Sequence, residues 1–340
     1  MLRKMKTHYI KKIIICLSFI LAGIKPVLAQ QNIQFTQYVF NSLSVNPAYA
    51  GYKEEWFGQM ALRKQWAGLN GSPQTGQISF DGIVDPVTKR MGVGLQVTAD
   101  KLGPQSATSA YANLAYRLRL NADDDRRLSF GLALGVTNYT LDGTTLDPLD
   151  FGDRNLPIGQ SSNFIPDGRF GIYYYTPKWY IGGSVMDILA NSSNEQIQTD
   201  AGTTENLKRK RHVYIIAGMV NDLSDNIKIR PSILLKEDFK GPTSADLSAM
   251  FILNERFWIG GSYRTGLNLW NKKFSEGVTL TNTNSFSGLI QVHVSTNFRI
   301  GYSYDYMLNR LGNAQAGTHE ITLGMTFLKS FNRLLSPRFF

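Results

Sequence analysis

Between Trp56 and Phe327 the chain alternates apolar and polar side chains with period two in fourteen separate stretches, and this pattern constrains the fold more than anything else in the sequence. Period two places every second side chain on the same face of an extended strand, so each stretch reads as one strand with an apolar and a polar face. The clearest sets Phe298, Ile300, Tyr302, Tyr304 and Tyr306 against Arg299, Gly301, Ser303 and Asp305. The last sets Ile321, Leu323, Met325 and Phe327 against Glu320, Thr322, Gly324 and Thr326. In the first, Trp56, Gly58, Met60, Leu62 and Trp66 share a parity, and ten residues separate the tryptophans. At ~3.3 Å per residue and a tilt near 40° that spacing covers roughly 25 Å, the height of the lipid-facing band of an outer-membrane barrel.

The connections alternate too. Asp85 to Arg90, Asn121 to Arg127, Pro177-Lys178, Asp222 to Asn226, Asn254 to Arg256 and Asn297 are short, whereas Asp142 to Pro166, Asn191 to Arg209 and Asn268 to Thr283 are long. Short turns at one end and long loops at the other are the periplasmic and extracellular ends of such a barrel, and an even strand number returns both termini to the periplasm. The expected fold is therefore all-β: a 14-stranded antiparallel transmembrane β-barrel.

The N-terminus reads as a secretory signal. Basic residues up to Lys12 precede an apolar run from Ile13 to Gly23, and Val27-Leu28-Ala29 offers a small-residue cleavage site. Eleven apolar residues fall short of the ~20 that a spanning helix needs. The leader holds six basic residues (Arg3, Lys4, Lys6, Lys11, Lys12, Lys25) and no acids. The formal charge of +10 therefore falls to +4 once it is removed, with 30 bases against 26 acids. That removes the basicity that would otherwise point to nucleic acid. The one cysteine, Cys16, lies in the leader, so the mature chain has no disulfide framework and no thiolate metal site.

Behind the leader, Gln34 to Gly51 (QFTQYVFNSLSVNPAYAG) fits neither helix nor strand, because Asn46-Pro47 interrupts it. It is expected to be an N-terminal plug or hatch, or else a periplasmic docking face. Tyr38, Phe40 and Tyr49 would pack on the inner wall or periplasmic rim while Asn41 and Asn46 bond to strand polar groups, with Pro47 the remaining plug or docking residue. The expected organisation is a signal peptide over 1–29, the plug or periplasmic segment over 30–53, the barrel over 54–328 and a periplasmic tail over 329–340.

Little in the chain suggests catalysis. There is no G-x-S-x-G elbow, no P-loop and no H-E-x-x-H, and no cofactor is expected. His293 and Ser295 share a face but stand too far apart along a strand to work as base and nucleophile. Clustered aspartates can hold calcium, but the loop aspartates Asp142, Asp147, Asp150 and Asp153 fit no EF-hand spacing and read as a solvated extracellular loop. The inward parity carries Arg63, Arg117, Arg119, Arg169, Arg230, Arg264 and Arg299 with Asp81, Asp100, Asp246, Asp305 and Glu320. These charges form either a polar conduit or docking lumen, or a pair network that holds the wall and a plug. Arg299 with Asp305 is the pair to test first on the conduit reading.

Two stretches carry a resemblance. Gln37-Tyr38-x-Phe40-Asn41 with Asn46-Pro47-Ala48-Tyr49-Ala50-Gly51 resembles the start of the PorP/SprF family of type IX secretion and gliding outer-membrane proteins. His319-Glu320-Ile321 and the C-terminal Pro337-Arg338-Phe339-Phe340 resemble its end. The resemblance implies a bacterial outer-membrane barrel. Its partners would be periplasmic secretion or motor ring proteins, a secreted adhesin or cargo C-terminal domain, and outer-membrane lipid. The Asn-Pro-Ala core also looks like part of the hatch of FadL-type transporters, which keeps a hydrophobic-solute transporter open as the alternative. Deleting Phe339-Phe340 is expected to lower barrel insertion or ring association, read as outer-membrane yield and co-isolation of ring proteins; unchanged insertion and secretion would remove any role for the tail.

Overall fold

The computed structural model describes residues 35–146, 159–190, 196–198, 204–206, 210–239, 241–267, 269 and 284–328. The leader, the C-terminal tail with Pro337, Arg338, Phe339 and Phe340, and the loop aspartates Asp147, Asp150 and Asp153 lie outside the described residues.

Fourteen antiparallel strands form a closed wall. They are β1 Trp56–Lys64, β2 Gln74–Ile83, β3 Met91–Leu102, β4 Gln105–Arg119, β5 Arg127–Asp142, β6 Gln160–Tyr175, β7 Trp179–Met186, β8 His212–Met219, β9 Ile227–Glu237, β10 Thr243–Leu253, β11 Phe257–Leu267, β12 Ser285–His293, β13 Phe298–Met307 and β14 Thr318–Leu328. Asn221–Ser224 prolongs β8 and pairs with the start of β9. Each strand pairs with its sequence neighbour, and β1 closes the ring on β14 from Trp56 opposite Leu328 to Lys64 opposite His319. Closure pairs every strand on both sides, as a sheet in hydrocarbon requires, and β6 runs on past its β7 partner, from Arg169 back to Gln160.

The burial pattern follows the parity. On β1 the odd positions Phe57, Gln59, Ala61 and Arg63 are buried, whereas Leu62 and Lys64 are exposed. Outward positions carry exposed Ile78, Leu95, Leu134, Ile181, Ile259 and Ile321, and inward positions carry buried Gln77, Ser79, Gln96, Thr98, Asn113, Ser248 and Gln291. In water such an apolar exterior would be a liability; against lipid it is the expected surface. Aromatic side chains border it at the short-turn end, where Trp56 stacks on Phe80 with centroids 5.1 Å apart and Tyr174 meets Trp179 at 5.0 Å.

Three expectations need correction. Trp66 does not continue the outer face of β1: it sits in the following turn at φ 51°, a left-handed conformation that ends an extended strand, and its N–H donates to Thr318 Oγ1. The aromatic border at the long-loop end comes instead from Tyr304, Tyr306 and Phe286. The loop placed over Asp142 to Pro166 is shorter, because β5 and β6 pair out to Asp142 opposite Gln160. Pro166 stands within β6, opposite Val136. Val294 and Ser295 belong to a turn, where the Ser295 hydroxyl accepts from the N–H groups of Asn297 and Phe298, so Ser295 serves the turn and is not placed with His293.

Candidate functional site

The constellation inside the wall is built on the segment from Phe35 to Glu54. Three short 3-10 turns, Thr36–Val39, Ser42–Ser44 and Pro47–Tyr49, fold it. Every residue from Phe35 to Tyr52 except Ser44 is buried. Short turns suit this composition: Pro47 has the fixed φ of a first helical position, and Asn46 Oδ1 accepts from Ala48 N at 2.9 Å.

The segment's polar groups are satisfied by the wall. Near the long-loop end, Glu320 accepts from the backbone N–H of Thr36 (2.8 Å) and of Gln37 (3.0 Å), and Asp305 accepts from the Thr36 hydroxyl at 2.7 Å. Arg63 ties both acids together, donating through Nη1 to Glu320 at 2.7 Å and through Nη2 to Asp305 at 2.8 Å. Further along, the Tyr38 hydroxyl reaches Ser232 Oγ (3.3 Å) and Ser248 Oγ (3.2 Å), and Arg230 Nη1 donates to Val39 O at 3.0 Å. Burial pushes the Tyr38 phenol well above its ordinary range, so it stays protonated inside the barrel.

Asn46 is the pivot. While its Oδ1 caps the turn, its Nδ2 donates to Ile172 O on β6 at 3.0 Å and to Gly183 O on β7 at 3.3 Å. The neighbouring carbonyls are also held: Ser184 donates to Val45 O, and Ser129 donates to Ala48 O at 2.7 Å. At the short-turn end Gly51 N donates to Asp81 at 2.9 Å, and Arg117 donates to Gly51 O, Glu54 and the Tyr175 hydroxyl. Contacts therefore run to β14, β13 and β1, then β9 and β10, then β6 and β7, then β5, β2 and β4, on all sides of the lumen.

Aromatic rings fill the remaining space. Tyr49 stacks on Tyr52 at 4.9 Å, both meet Tyr173 edge-on, and Phe40 meets Trp258 edge-on at 5.9 Å. Glycines on inward parity let the segment's backbone lie on the wall. A β-carbon on Gly92 would collide with the Ala50 carbonyl, one on Gly131 with Ala48 N and Pro47 C, and one on Gly171 with Asn46 Oδ1.

The residues singled out from sequence divide into two groups. Tyr38, Phe40, Asn41, Asn46, Pro47 and Tyr49 all lie in this segment and are buried, with Asn41 Oδ1 accepting from Gln77 Nε2 at 3.2 Å. Arg63, Asp305 and Arg117 bind it directly. Arg264 instead makes a two-pronged pair with Asp246 (2.6 and 3.1 Å), which Lys236 also meets at 2.9 Å. Arg299 and Asp305 are not partners. Six residues of one strand separate them, roughly 20 Å, so Asp305 pairs across β14 with Arg63. Arg299 lies 4.3 Å from the centroid of the Phe57 ring, and Lys53 Nζ lies 3.1 Å from the same centroid. Arg119 is exposed and donates to the turn carbonyls of Asn121 and Ala122, so it does not face the lumen.

Thr36, Gln37, Glu54 and the three glycines were not singled out as site residues, nor was the buried contact of His212 Nδ1 with Asp187 Oδ2 at 3.1 Å. Glycine at inward parity in mid-strand was the available signal for the cradle; the others depend on pairings between distant residues. Among the described residues no cluster of His, Cys, Asp and Glu suits a metal ion. Replacing Asn46 with alanine removes a cap and two wall bonds at once. It is expected to weaken docking of the segment by about 1–3 kcal/mol, read as faster amide hydrogen exchange over residues 42–50 with the strands unchanged. Equal protection in the variant would show that Asn46 does not anchor it.

Residues 27–325 match the family described as type IX secretion system membrane protein PorP/SprF. No curated protein matches the sequence. Among solved structures, the toluene transporter TbuX of Ralstonia pickettii is similar with a TM-score of 0.51 at 11% identity, covering 85% of this chain and 93% of that one. The CymD monoaromatic hydrocarbon channel is similar with a TM-score of 0.51 at 13% identity, covering 87% and 94%. At such identities the likeness is one of fold.

Proposed function

The chain belongs to the PorP/SprF family of type IX secretion system membrane proteins and is an outer-membrane β-barrel, and from that premise we propose that it acts as a closed docking component of the secretion and gliding machinery. In this reading Phe35 to Glu54 is a plug. The barrel partners periplasmic ring proteins at its short-turn end and anchors a secreted adhesin or cargo domain, with no solute passing through. The observation that carries the reading is the buried clamp of Thr36 and Gln37 by Arg63, Asp305 and Glu320. A buried ion network of that kind holds one arrangement and resists opening, since separating any partner leaves a buried charge uncompensated.

A hydrophobic-solute transporter is the competing reading, prompted by the likeness in fold to TbuX, a toluene transporter, and CymD, a monoaromatic hydrocarbon channel. Such a role asks for an apolar path past the plug. The apolar residues of the inward wall, among them Ile216, Leu234, Met250 and Ile252, are instead buried in one cluster with Tyr38, Val39 and Phe40 of the segment, and Gln77, Ser79, Gln96, Thr98, Asn113 and Gln291 line the wall beside them. Affinity isolation from detergent-solubilised outer membrane separates the two readings. Co-isolation of periplasmic secretion-ring proteins or a large surface protein is expected, whereas a preparation free of both that carries a bound hydrophobic solute would overturn the docking role.

A further inference from the structure

Basic side chains occur at outward-facing positions of the described wall strands in one place only: Lys64 on β1, Lys101 on β3 and His319 on β14. They are close together. His319 stands opposite Lys64, Lys64 opposite Gln74 and Gln74 opposite Lys101, which makes one row across four neighbouring strands. At ~4.8 Å between strands the row is about 14 Å long. Lys64, Gln74 and Lys101 are exposed, and His319 is oriented by the Tyr302 hydroxyl at 2.8 Å from its Nδ1.

Two residues further into the wall lies a parallel apolar row of Ile321, Leu62, Gly76 and Ala99, in the same register. The small side chains at Gly76 and Ala99 leave a depression of about 530 Å³ that the basic row borders. Asp100, which also borders it, accepts from the Thr75 hydroxyl at 2.5 Å. Lysine on a lipid-facing strand is costly at mid-membrane and far less so near the interface. These bases stand at the long-loop ends of their strands, level with lipid headgroups rather than acyl chains.

We propose that this row and its depression form a binding site for the phosphate-bearing headgroup of an outer-leaflet lipid. Lys64 and Lys101 bracket the phosphate, Gln74 and His319 supply hydrogen bonds, and acyl chains run down over Leu62 and Ile321. Charge complementarity commits the site to an anionic lipid, and the apolar row beneath it to a lipid rather than a free anion. The inference rests on the long loops facing outward, as in the proposed function, but needs no protein partner.

The test uses the purified full-length protein in zwitterionic detergent, with diphosphoryl lipid A as probe and binding read by native mass spectrometry. The double variant Lys64→Gln/Lys101→Gln is expected to bind roughly 30-fold more weakly, on about 1 kcal/mol per lysine at an anionic surface and tenfold per 1.4 kcal/mol. The Lys64→Arg/Lys101→Arg variant is expected to restore binding, and lipid A stripped of phosphate to bind wild type as weakly as the glutamine variant binds the intact lipid. Unchanged heat-modifiable mobility reports that each variant is folded. Equal affinity in wild type and glutamine variant, equal binding of dephosphorylated lipid A, or full competition by millimolar inorganic phosphate would each overturn the proposal. A failure here leaves the partner isolation untouched, because no ring protein or adhesin takes part.

Discussion

Replacing Arg63 with alanine is expected to destabilise the protein more than any other single side-chain removal in the lumen. Arg63 is the shared partner of Asp305 and Glu320, and all three side chains are almost wholly buried. Its loss leaves two neighbouring carboxylates with no cation of the described residues in direct contact, and breaking a buried ion pair from one side costs about 3–5 kcal/mol. The loss falls on the Phe35 to Glu54 segment as well as the wall, because the same carboxylates accept from Thr36 and Gln37. The expected result is a lower thermal unfolding temperature in detergent, together with protease cleavage within residues 35–45. Arg63→Lys should recover only part of the loss, since one ammonium cannot reproduce the forked contact to two acids. An Arg63→Ala protein as stable and protease-resistant as wild type would mean that the clamp does not hold the segment.

Gly131→Val is expected to expel the segment while sparing the barrel. Gly131 faces inward on β5, and a side chain there meets the backbone of Pro47 and Ala48, which has no rotamer with which to give way. Overpacking a well-filled site typically costs 1–3 kcal/mol, and more where backbone must move. Valine is otherwise favourable in a strand, so the wall should still assemble and migrate as a folded barrel. A cysteine placed at Ala48 then reports the outcome, being unreactive toward a water-soluble maleimide in the parent and labelled in the Gly131→Val background. The matched control is Gly288→Val, where an added β-carbon meets nothing within 4 Å. Protection of position 48 in both backgrounds would show that the segment does not rest on Gly131.

The wall was legible from the sequence because its signal is local. Parity alone places Leu62 outside and Arg63 inside, and the burial of β1 follows it residue by residue. Trp66 misled for the same reason: it keeps the parity of the strand, but parity cannot reveal a left-handed turn two residues past the strand end. The segment's buried side chains were legible as a stretch that fits neither period, yet its partners were not. Arg63 finds Glu320 because β1 closes on β14, and a pairing across 257 positions is a consequence of topology rather than of any motif. Asn46 reaches two main-chain carbonyls that every sequence possesses, so nothing in the residues opposite it announces the contact. The glycines at 92, 131 and 171 were the one usable trace, since glycine on the inward face of a mid-strand marks a place where another backbone comes close.

Planar-bilayer recording of the purified, full-length protein tests the central claim most directly, that the segment closes the barrel and leaves it a docking component rather than a conduit. The account predicts a silent baseline for wild type and the appearance of discrete conductance steps in the Gly131→Val variant, whose lumen has lost its plug. Stable, long-lived open steps from wild-type protein, matching those of the variant, would contradict it.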